Sequence, residues 1–440
     1  MILLFWGCTA PDDTGATVDL TIGPGNIPPT LQASWTSPEA TLATVEASFG
    51  EETLRFTEEA ASTKHSVNLL GVPAQTQVDV RVLVDDAVVA EGSATSSGLP
   101  AWVPDFDFVA DAPEAAQPGL TFVPIFIELG GGVVFVDERG RSVWAYPPED
   151  DAHELVFRAR MSLDGKHALF NGQALSEDGP GKIFKIALDG STSTTAQITS
   201  GHTDFVEYTP DGYVAIGWEI REIDGRKILG DTLVERSPEG VERVVWSTWD
   251  WFEPDLTQSY PNLYVADPEV EDWTHVNGLH YDPIEDALYA TMTFDNGVAK
   301  IDRASGELIW VLSQTDGDFT LENPDLLQLP HSVQLLENGN LLVFNRGQLG
   351  SVDGYSHADE LAVDEDARTV RSVWSYADPE RLLVAFLGSA ERLENDNTLI
   401  SWTSAGKLNE VTQDGAVAWQ ISTSIGAGFG FSSRYPHPGQ

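Results

Sequence analysis

Residues 271–313 read EDWTHVNGLHYDPIEDALYATMTFDNGVAKIDRASGELIWVLS. A polar entry at His275 is followed by alternating apolar residues, a turn at Ile284-Glu285-Asp286 and a short apolar stretch. A second turn and strand follow, and the unit closes on Gly306-x-x-x-Trp310. Alternation with a period of two and turn residues between the runs read as four short antiparallel strands. No stretch in it carries the 3.6-residue period of a helix. The same pattern opens at His202 in GHTDFVEYTPDGYVAIGW (201–218) and at His331 in HSVQLLENGNLLVFNRG (331–347). Aligned on their turns, His202 and His275 share one register, with Asp204, Asn277 and His331 two residues further on. In a strand, residues two apart share a face. Histidines repeated at related places in a circular fold converge on its axis.

Working outward, three more units of this kind are found, at TFVPIFIELGGGVVFVDERGRSVWAY (121–146), LVFRARMSLDGKHALFNG (155–172) and FLGSAERLENDNTLISWTSAGKLNEV (386–411). Closing strands with a tryptophan recur at GRSVWAY, GVERVVWST, GELIWVLS, RSVWSYA and GAVAWQIS. Six units of four strands each predict a six-bladed β-propeller over residues 120–440. The repeated tryptophans read as packing residues between blades. Residues 250–274, DWFEPDLTQSYPNLYVADPEVEDWT, form an aromatic, acidic insertion before the fourth unit, placed to cover the axis. Upstream, residues 17–98 give six or seven short strands from LQASWTSP to AVVAEGSATSSG. That spacing predicts a β-sandwich of immunoglobulin or fibronectin type III kind. Residues 99–119 read as an extended linker, so the fold class is all-β with two domains.

At 440 residues two cores are expected. Acidic residues outnumber basic ones 69 to 24, for a formal charge of −45. Such a field repels phosphate backbones, which excludes nucleic acid as a partner class, and any anionic substrate needs a locally basic pocket. The one cysteine, Cys8, rules out an intrachain disulfide and a cysteine metal cluster. It sits in MILLFWGCTAPDDTG, an apolar run ending Gly-Cys and then an acidic tether. Residues 1–16 therefore resemble the end of a bacterial lipoprotein signal, although the basic n-region is missing and Phe5 stands where leucine is usual. This predicts export, as a periplasmic or cell-surface lipoprotein tethered through Cys8.

The ordered set formed by EDWTHVNGLHYD, IDRASGELIW and LPHSVQLLENGNLLVFNRG (329–347) resembles the bacterial arylsulfate sulfotransferase family. The resemblance implies a periplasmic propeller with a small N-terminal sandwich, sometimes dimeric. It moves a sulfuryl group from an aryl sulfate to a phenolic acceptor without PAPS or any other nucleotide sulfate donor, and implies no cofactor. His331 matches the family's sulfuryl-accepting histidine, His275 and Asn277 match groups that hold sulfuryl oxygens, and His202 matches a histidine near the phenolic oxygen. The family arginine after the HxN strand is Thr293 here. The equivalent place in the next unit holds Arg346, which is expected to supply the missing charge. Otherwise Thr293 marks lost activity.

The residues themselves support that chemistry. Neutral imidazole is a nucleophile near neutral pH, a covalent intermediate splits the transfer in two, and one well-placed cation contributes about 3 kcal/mol to the transition state. Asp204 is expected to orient His202 or bind substrate. Trp273, Tyr281 and Phe294 are candidates for an aromatic wall, and Arg434 for a channel-facing cation. His153, His167, His280, His357 and His437 read as structural. Two other functions compete: a histidine-metal hydrolase using His202, His275, His331 and Asp204, and a non-catalytic propeller that binds a glycan or protein partner.

Overall fold

The computed structural model describes residues 18–127, 130–147, 154–174, 179–254, 256–257, 260–315, 317–348, 354–423 and 428–437. Cys8, the rest of the 1–16 signal-like stretch and His153 lie outside them. Among the described residues no helix is long and apolar enough to cross a membrane. The chain divides into two compact units, one made of residues 18–25 and 29–98, the other of 26–28 and 99–437.

The first unit consists of two antiparallel sheets. One contains Thr21–Pro24, Leu31–Thr41 and Ser62–Leu69. The other contains Glu52–Thr57, Thr44–Phe49, Gln77–Val84 and Ala87–Thr95. Strand alternation sets which residues they bury: Val78, Val80 and Val82 are fully buried while Gln77, Asp79 and Arg81 face solvent. Leu31, Ala33, Trp35, Val45 and Ala47 complete a single apolar core.

Among the described residues the second unit holds six mainly antiparallel sheets, each built round four strands that are successive in all but the first. Sheet 3 runs His202–Thr209, Gly212–Ile223, Arg226–Arg236, Glu242–Ser247; sheet 4 runs Val276–Asp282, Ala287–Met292, Gly297–Asp302, Leu308–Ser313. Sheet 5 follows with Pro330–Leu335, Leu341–Asn345, His357–Asp364 and Thr369–Tyr376, and sheet 6 with Ser389–Arg392, Thr398–Trp402, Lys407–Val411 and Val417–Ser422. Sheet 2 is built from Ala159–Met161, His167–Ala174, Gly181–Ala187 and Ser193–Ile198. Sheet 1 closes the series. Its strands Leu120–Ile127, Gly130–Val136 and Ser142–Tyr146 take their fourth member, Ser433–Tyr435, from the far end of the chain. That pairing covers the otherwise open edge of Leu120–Ile127.

The core lies between sheets rather than inside one. Val206, Val214 and Trp246 of sheet 3 pack on Leu279, Leu288 and Ala299 of sheet 4, and similar clusters join sheets 4 and 5, 5 and 6, and 6 and 1. Closing-strand tryptophans stitch neighbours together. Trp144 Nε1 donates to the Leu188 carbonyl at 3.0 Å, Trp374 to Gln413 at 3.0 Å and Trp419 to Asp137 at 3.3 Å. Residues 99–119, read above as a linker, belong to this unit. Asp107–Val109 adds a fifth strand to sheet 6, and Leu99, Trp102, Val103 and Phe106 pack on the core between sheets 6 and 1. The prolines made the stretch look extended, but its apolar residues found a surface to bury.

The first strands of sheets 3, 4 and 5 lie side by side. Gly278 permits this approach, since a Cβ there would stand 2.7 Å from the Ser332 Cα. Each of the three strands breaks its ladder near the repeated histidine: between His202 and Phe205, between Val276 and Gly278, and between Pro330 and Val333. Such bulges re-aim side chains. Plain two-residue alternation therefore does not describe how these side chains point.

Candidate active site

His331 opens the first strand of sheet 5 and is buried. Its Nδ1 lies 3.1 Å from the Gly388 carbonyl oxygen. A carbonyl only accepts, so Nδ1 carries the proton and Nε2 presents a lone pair. Burial, followed by the charges of Arg346 and His275, pushes the imidazole well below its usual 6.5. The ring stays neutral where a nucleophile must be neutral. Gly388 has φ of +96°, and a Cβ there would stand 2.1 Å from the Phe344 ring, so the carbonyl that fixes the tautomer sits at a position only glycine fills.

The charges of two guanidinium groups act on this ring. Arg346 follows the second strand of sheet 5 and is 6% exposed. Nη1 donates to the Ala385 carbonyl at 3.2 Å, while Nε has no hydrogen-bond partner. Among the described residues no carboxylate pairs with it. Burial lowers its pKa to about 10, so it remains a cation at neutral pH. The short segment 385–388 thus supplies one carbonyl to the cation and one to the histidine. Arg158, from the approach to sheet 2, stacks over Phe431 at 4.2 Å, and Phe431 tilts against His331 at 5.1 Å.

Arg158 is neutralised by Asp204, through Nε–Oδ1 at 2.8 Å and Nη2–Oδ2 at 2.7 Å. Asp204 also accepts from the backbone N–H of Phe205 and, across the sheets, of Leu279. This corrects the expectation that Asp204 orients His202 or holds substrate: its acceptor sites are spent on Arg158 and two strands. Breaking a buried pair on one side strands the other charge. Asp204→Asn is therefore expected to cost about 3 kcal/mol or more in chemical denaturation. A loss below about 1 kcal/mol would mean that Arg158 is well solvated without its partner.

His202 and His275 differ from what their shared register implied. His202 Nε2 lies 3.2 Å from Asp231 Oδ1 and 3.3 Å from the Gly217 carbonyl, and Nδ1 lies 3.0 Å from the Thr203 hydroxyl. Both ring nitrogens are engaged with protein, which corrects its expected placement as the group free to serve a phenolic oxygen. His275 Nδ1 lies 2.6 Å from Asp272 Oδ2 and 3.3 Å from the Tyr264 hydroxyl. The carboxylate holds the Nδ1 proton, and Nε2 has no partner among the described residues. Burial raises the pKa of Asp272. Thr203 and His275 lie in the left-handed region at φ 48° and 51°, and Ser332 at 125°. Strain of this kind clusters at functional sites.

Asn277 and Thr293 form a structural lock. Asn277 Nδ2 donates to the Thr293 hydroxyl, Thr291 Oγ1 donates to Asn277 Oδ1 at 2.9 Å, and Thr293 Oγ1 donates to the Pro330 carbonyl at 2.9 Å. Asn277 was expected to hold sulfuryl oxygens and Thr293 to line the substrate site. Instead they tie sheet 4 to the residue before His331. Phe294 stacks on His275 at 4.8 Å, whereas Tyr281 bonds Asp286 at 2.9 Å away from that stack. Arg434 pairs with Glu410 and donates to Thr121 at 2.8 Å, bracing the closing strand. His280 tilts against Tyr289 at 6.2 Å, and burial, followed by the charge of Arg160, lowers its pKa to about 4.

Four contributors went unread in the sequence: Arg158, Asp231, Asp272 and Tyr264. Tyr264 comes from the 250–274 insertion and inserts between two histidines, 4.0 Å from the His202 ring and 5.8 Å from that of His275. Burial raises its hydroxyl well above the usual tyrosine range. Its signal was the aromatic insertion, and that of Asp272 its place three residues before His275. Among the described residues no group of three or more His, Cys, Asp or Glu is placed to hold a metal ion.

Compared with known families, residues 108–424 match the model of the arylsulfotransferase (ASST) family. The chain belongs to the arylsulfotransferase family. Membership carries sulfotransfer on small-molecule substrates at the level of the family. A search of curated proteins found no match. Similar solved structures include a Bacteroides caccae protein of unknown function, at 15% identity and TM-score 0.44 over 72% of this chain and 99% of that one. A streptogramin B lyase follows at 13% and 0.40 over 77% and 100%. The periplasmic gluconolactonase of Pseudomonas aeruginosa shows 14% and 0.38 over 90% and 99%. Likenesses this distant carry no argument, and the arylsulfotransferase assignment rests on the family match.

Proposed function

We propose that this chain is a PAPS-independent aryl sulfotransferase, a six-bladed β-propeller preceded by an immunoglobulin- or fibronectin-like sandwich. It moves a sulfuryl group from an aryl sulfate to a phenolic acceptor through a sulfo-histidine at His331. One observation carries the reading: His331, its Nε2 bare, lies within the field of a buried guanidinium, Arg346, that no described carboxylate neutralises. In a chain of net charge −45 such a cation is well suited to an anionic ligand.

In the first half-reaction the Nε2 lone pair forms an N–S bond as the S–O bond to the aryl group breaks. The departing phenolate keeps the electron pair and takes a proton from Nε2 of His275, whose Nδ1 side Asp272 holds in place. In the second half the acceptor phenol returns a proton to His275, its oxygen bonds to sulfur, and His331 leaves. His275 takes the acid/base role here because its Nε2 is free while both nitrogens of His202 are committed. Positioning and charge stabilisation dominate such a loose transfer. Export and lipid attachment at Cys8 belong to the same proposal on the strength of residues 1–16. The test is nitrophenol release from 4-nitrophenyl sulfate, expected to depend on an added phenol. Release at the same rate without acceptor would point to a hydrolase, and no release to a binding scaffold.

The lowered pKa of His331 sets a sign. Its neutral form persists below 6.5, so the acid limb of kcat/KM is expected below pH 6.5. In the unfolded chain the same ring binds a proton near 6.5, so folding weakens as pH falls from there toward the depressed value. His280 adds to this loss down to about pH 4. An acid limb above 6.5 would contradict the neutral nucleophile.

A further inference from the structure

Arg158 and Arg160 flank the first residue of the strand Ala159–Met161 in sheet 2, so both side chains leave it on one side. Both reach one carboxylate. Asp204 Oδ1 lies 2.8 Å from Arg158 Nε and 3.5 Å from Arg160 Nη2, and Arg158 Nη2 takes Oδ2. Two cations thus share one anion, and burial, followed by the charge of Arg158, lowers the pKa of Arg160. Among the described residues neither Nη1 has a hydrogen-bond partner. Nor is either Nη1 sealed from solvent, unlike Arg160 Nε, and the two side chains are 11% and 20% exposed. His280, Gln334, Glu391 and Tyr435, from the innermost strands of sheets 4, 5, 6 and 1, are half-buried too. The charges of both arginines act on His280 and Glu391, and that of Arg160 on Tyr435. Solvent therefore reaches a place between these strands that is lined by two incompletely paired guanidinium groups.

We infer that this place is a second oxyanion subsite, where Nη1 of Arg158 and Nη1 of Arg160 hold a free sulfate ion. Sulfate offers several acceptors to planar N–H donors, and charge-assisted hydrogen bonds are about twice as strong as neutral ones. In a chain of net charge −45, two guanidinium groups sharing one carboxylate are matched to such an ion. The subsite is distinct from Arg346, whose pKa neither arginine shifts. Arg158 also stacks on Phe431, the ring that touches His331, and its charge acts on that histidine. A sulfate held here therefore weakens the positive field at His331. Glu391 opposes the ion while ionised. It makes no ion pair with either arginine among the described residues, and burial raises its carboxyl above the usual range. The other acids are committed, Asp204 to Arg158 and Asp282 to the backbone N–H of Ile284. His280 stays neutral down to about pH 4, and burial pushes the Tyr435 hydroxyl up. Sulfate binding is thus expected to tighten as pH falls and Glu391 takes up a proton.

Titration calorimetry with sodium sulfate, at an ionic strength held constant with sodium chloride, tests this on the Arg346→Met protein. That background removes the other unpaired guanidinium, and one sulfate is expected to bind. Adding Arg160→Met is expected to weaken it by at least about tenfold, the worth of one hydrogen bond to a charged group. Asp204 keeps Arg158 in that variant, so the fold is expected to hold, and its denaturation midpoint checks this. Glu391→Gln acts in the opposite direction. Near neutral pH it is expected to tighten sulfate by about threefold or more and to remove most of the pH dependence. No sulfate binding to the Arg346→Met protein would overturn the inference. So would binding indifferent to Arg160→Met, or a pH dependence that Glu391→Gln leaves intact. None of these measurements involves turnover, so the inference and the sulfotransfer reading fail separately.

Discussion

His331→Ala is expected to lower acceptor-dependent turnover by at least about 10⁴-fold, the scale on which enzymes lose a covalent nucleophile. Gly388 fixes the proton on Nδ1, burial keeps the ring neutral, and Nε2 is the sole free nucleophilic nitrogen of that ring. Alanine removes the atom that must form the N–S bond, and none of the neighbours replaces it. His202 has both nitrogens engaged, and His275 is held by Asp272 through Nδ1. The fold is expected to tolerate the change, because His331 makes one side-chain hydrogen bond and a ring contact with Phe431. Steady-state nitrophenol release reads the loss. Residual activity above about a tenth of the parent would place the nucleophile elsewhere.

Arg346→Met carries the second large effect, and its signature has two parts. Losing the cation proposed to meet the sulfuryl group is expected to cost about 10²–10³-fold in kcat. Stability is expected to hold or rise, because a buried guanidinium without a carboxylate is an unfavourable group to fold around. A charge kept at the expense of stability is the mark of a functional residue. Arg158→Met is the contrast, since it strands Asp204 and is expected to lose stability. Denaturation midpoints and initial rates on the two variants separate the cases. Arg346→Met turnover within about threefold of the parent would sink the assignment and leave Thr293 as a mark of lost catalysis.

Much of the architecture is legible in the sequence because strands advertise themselves locally. Alternation, turn residues and the recurring closing tryptophans lie within the units, and each of the six units coincides with one sheet of four to six strands. The site is legible only in part. His275, His331 and Arg346 stand at strand ends where repeat register points to them, and the charges of His275 and Arg346 both act on the His331 ring. What register cannot reveal is partnership. Asn277 lies two residues after His275, as a ligand-holding group would, yet its hydrogen bonds are closed internally on Thr291 and Thr293. Asp204 lies two residues after His202, yet the residue it binds is Arg158, 46 positions away in the preceding sheet. Tyr264 enters from an insertion that follows no repeat. These are consequences of how successive sheets meet, and no local pattern encodes them. The stretch 99–119 shows the same limit, since its role as an added strand is set by an edge more than 300 residues downstream.

The central claim is a covalent sulfuryl group on His331. Its most direct test is peptide mass spectrometry on protein incubated with 4-nitrophenyl sulfate, without acceptor, and quenched in base. The account predicts the mass of one sulfuryl group on the peptide containing His331, lost when phenol is added before the quench and absent from His331→Ala. Acceptor-dependent turnover with no label on that peptide, or with label on another residue, would contradict it.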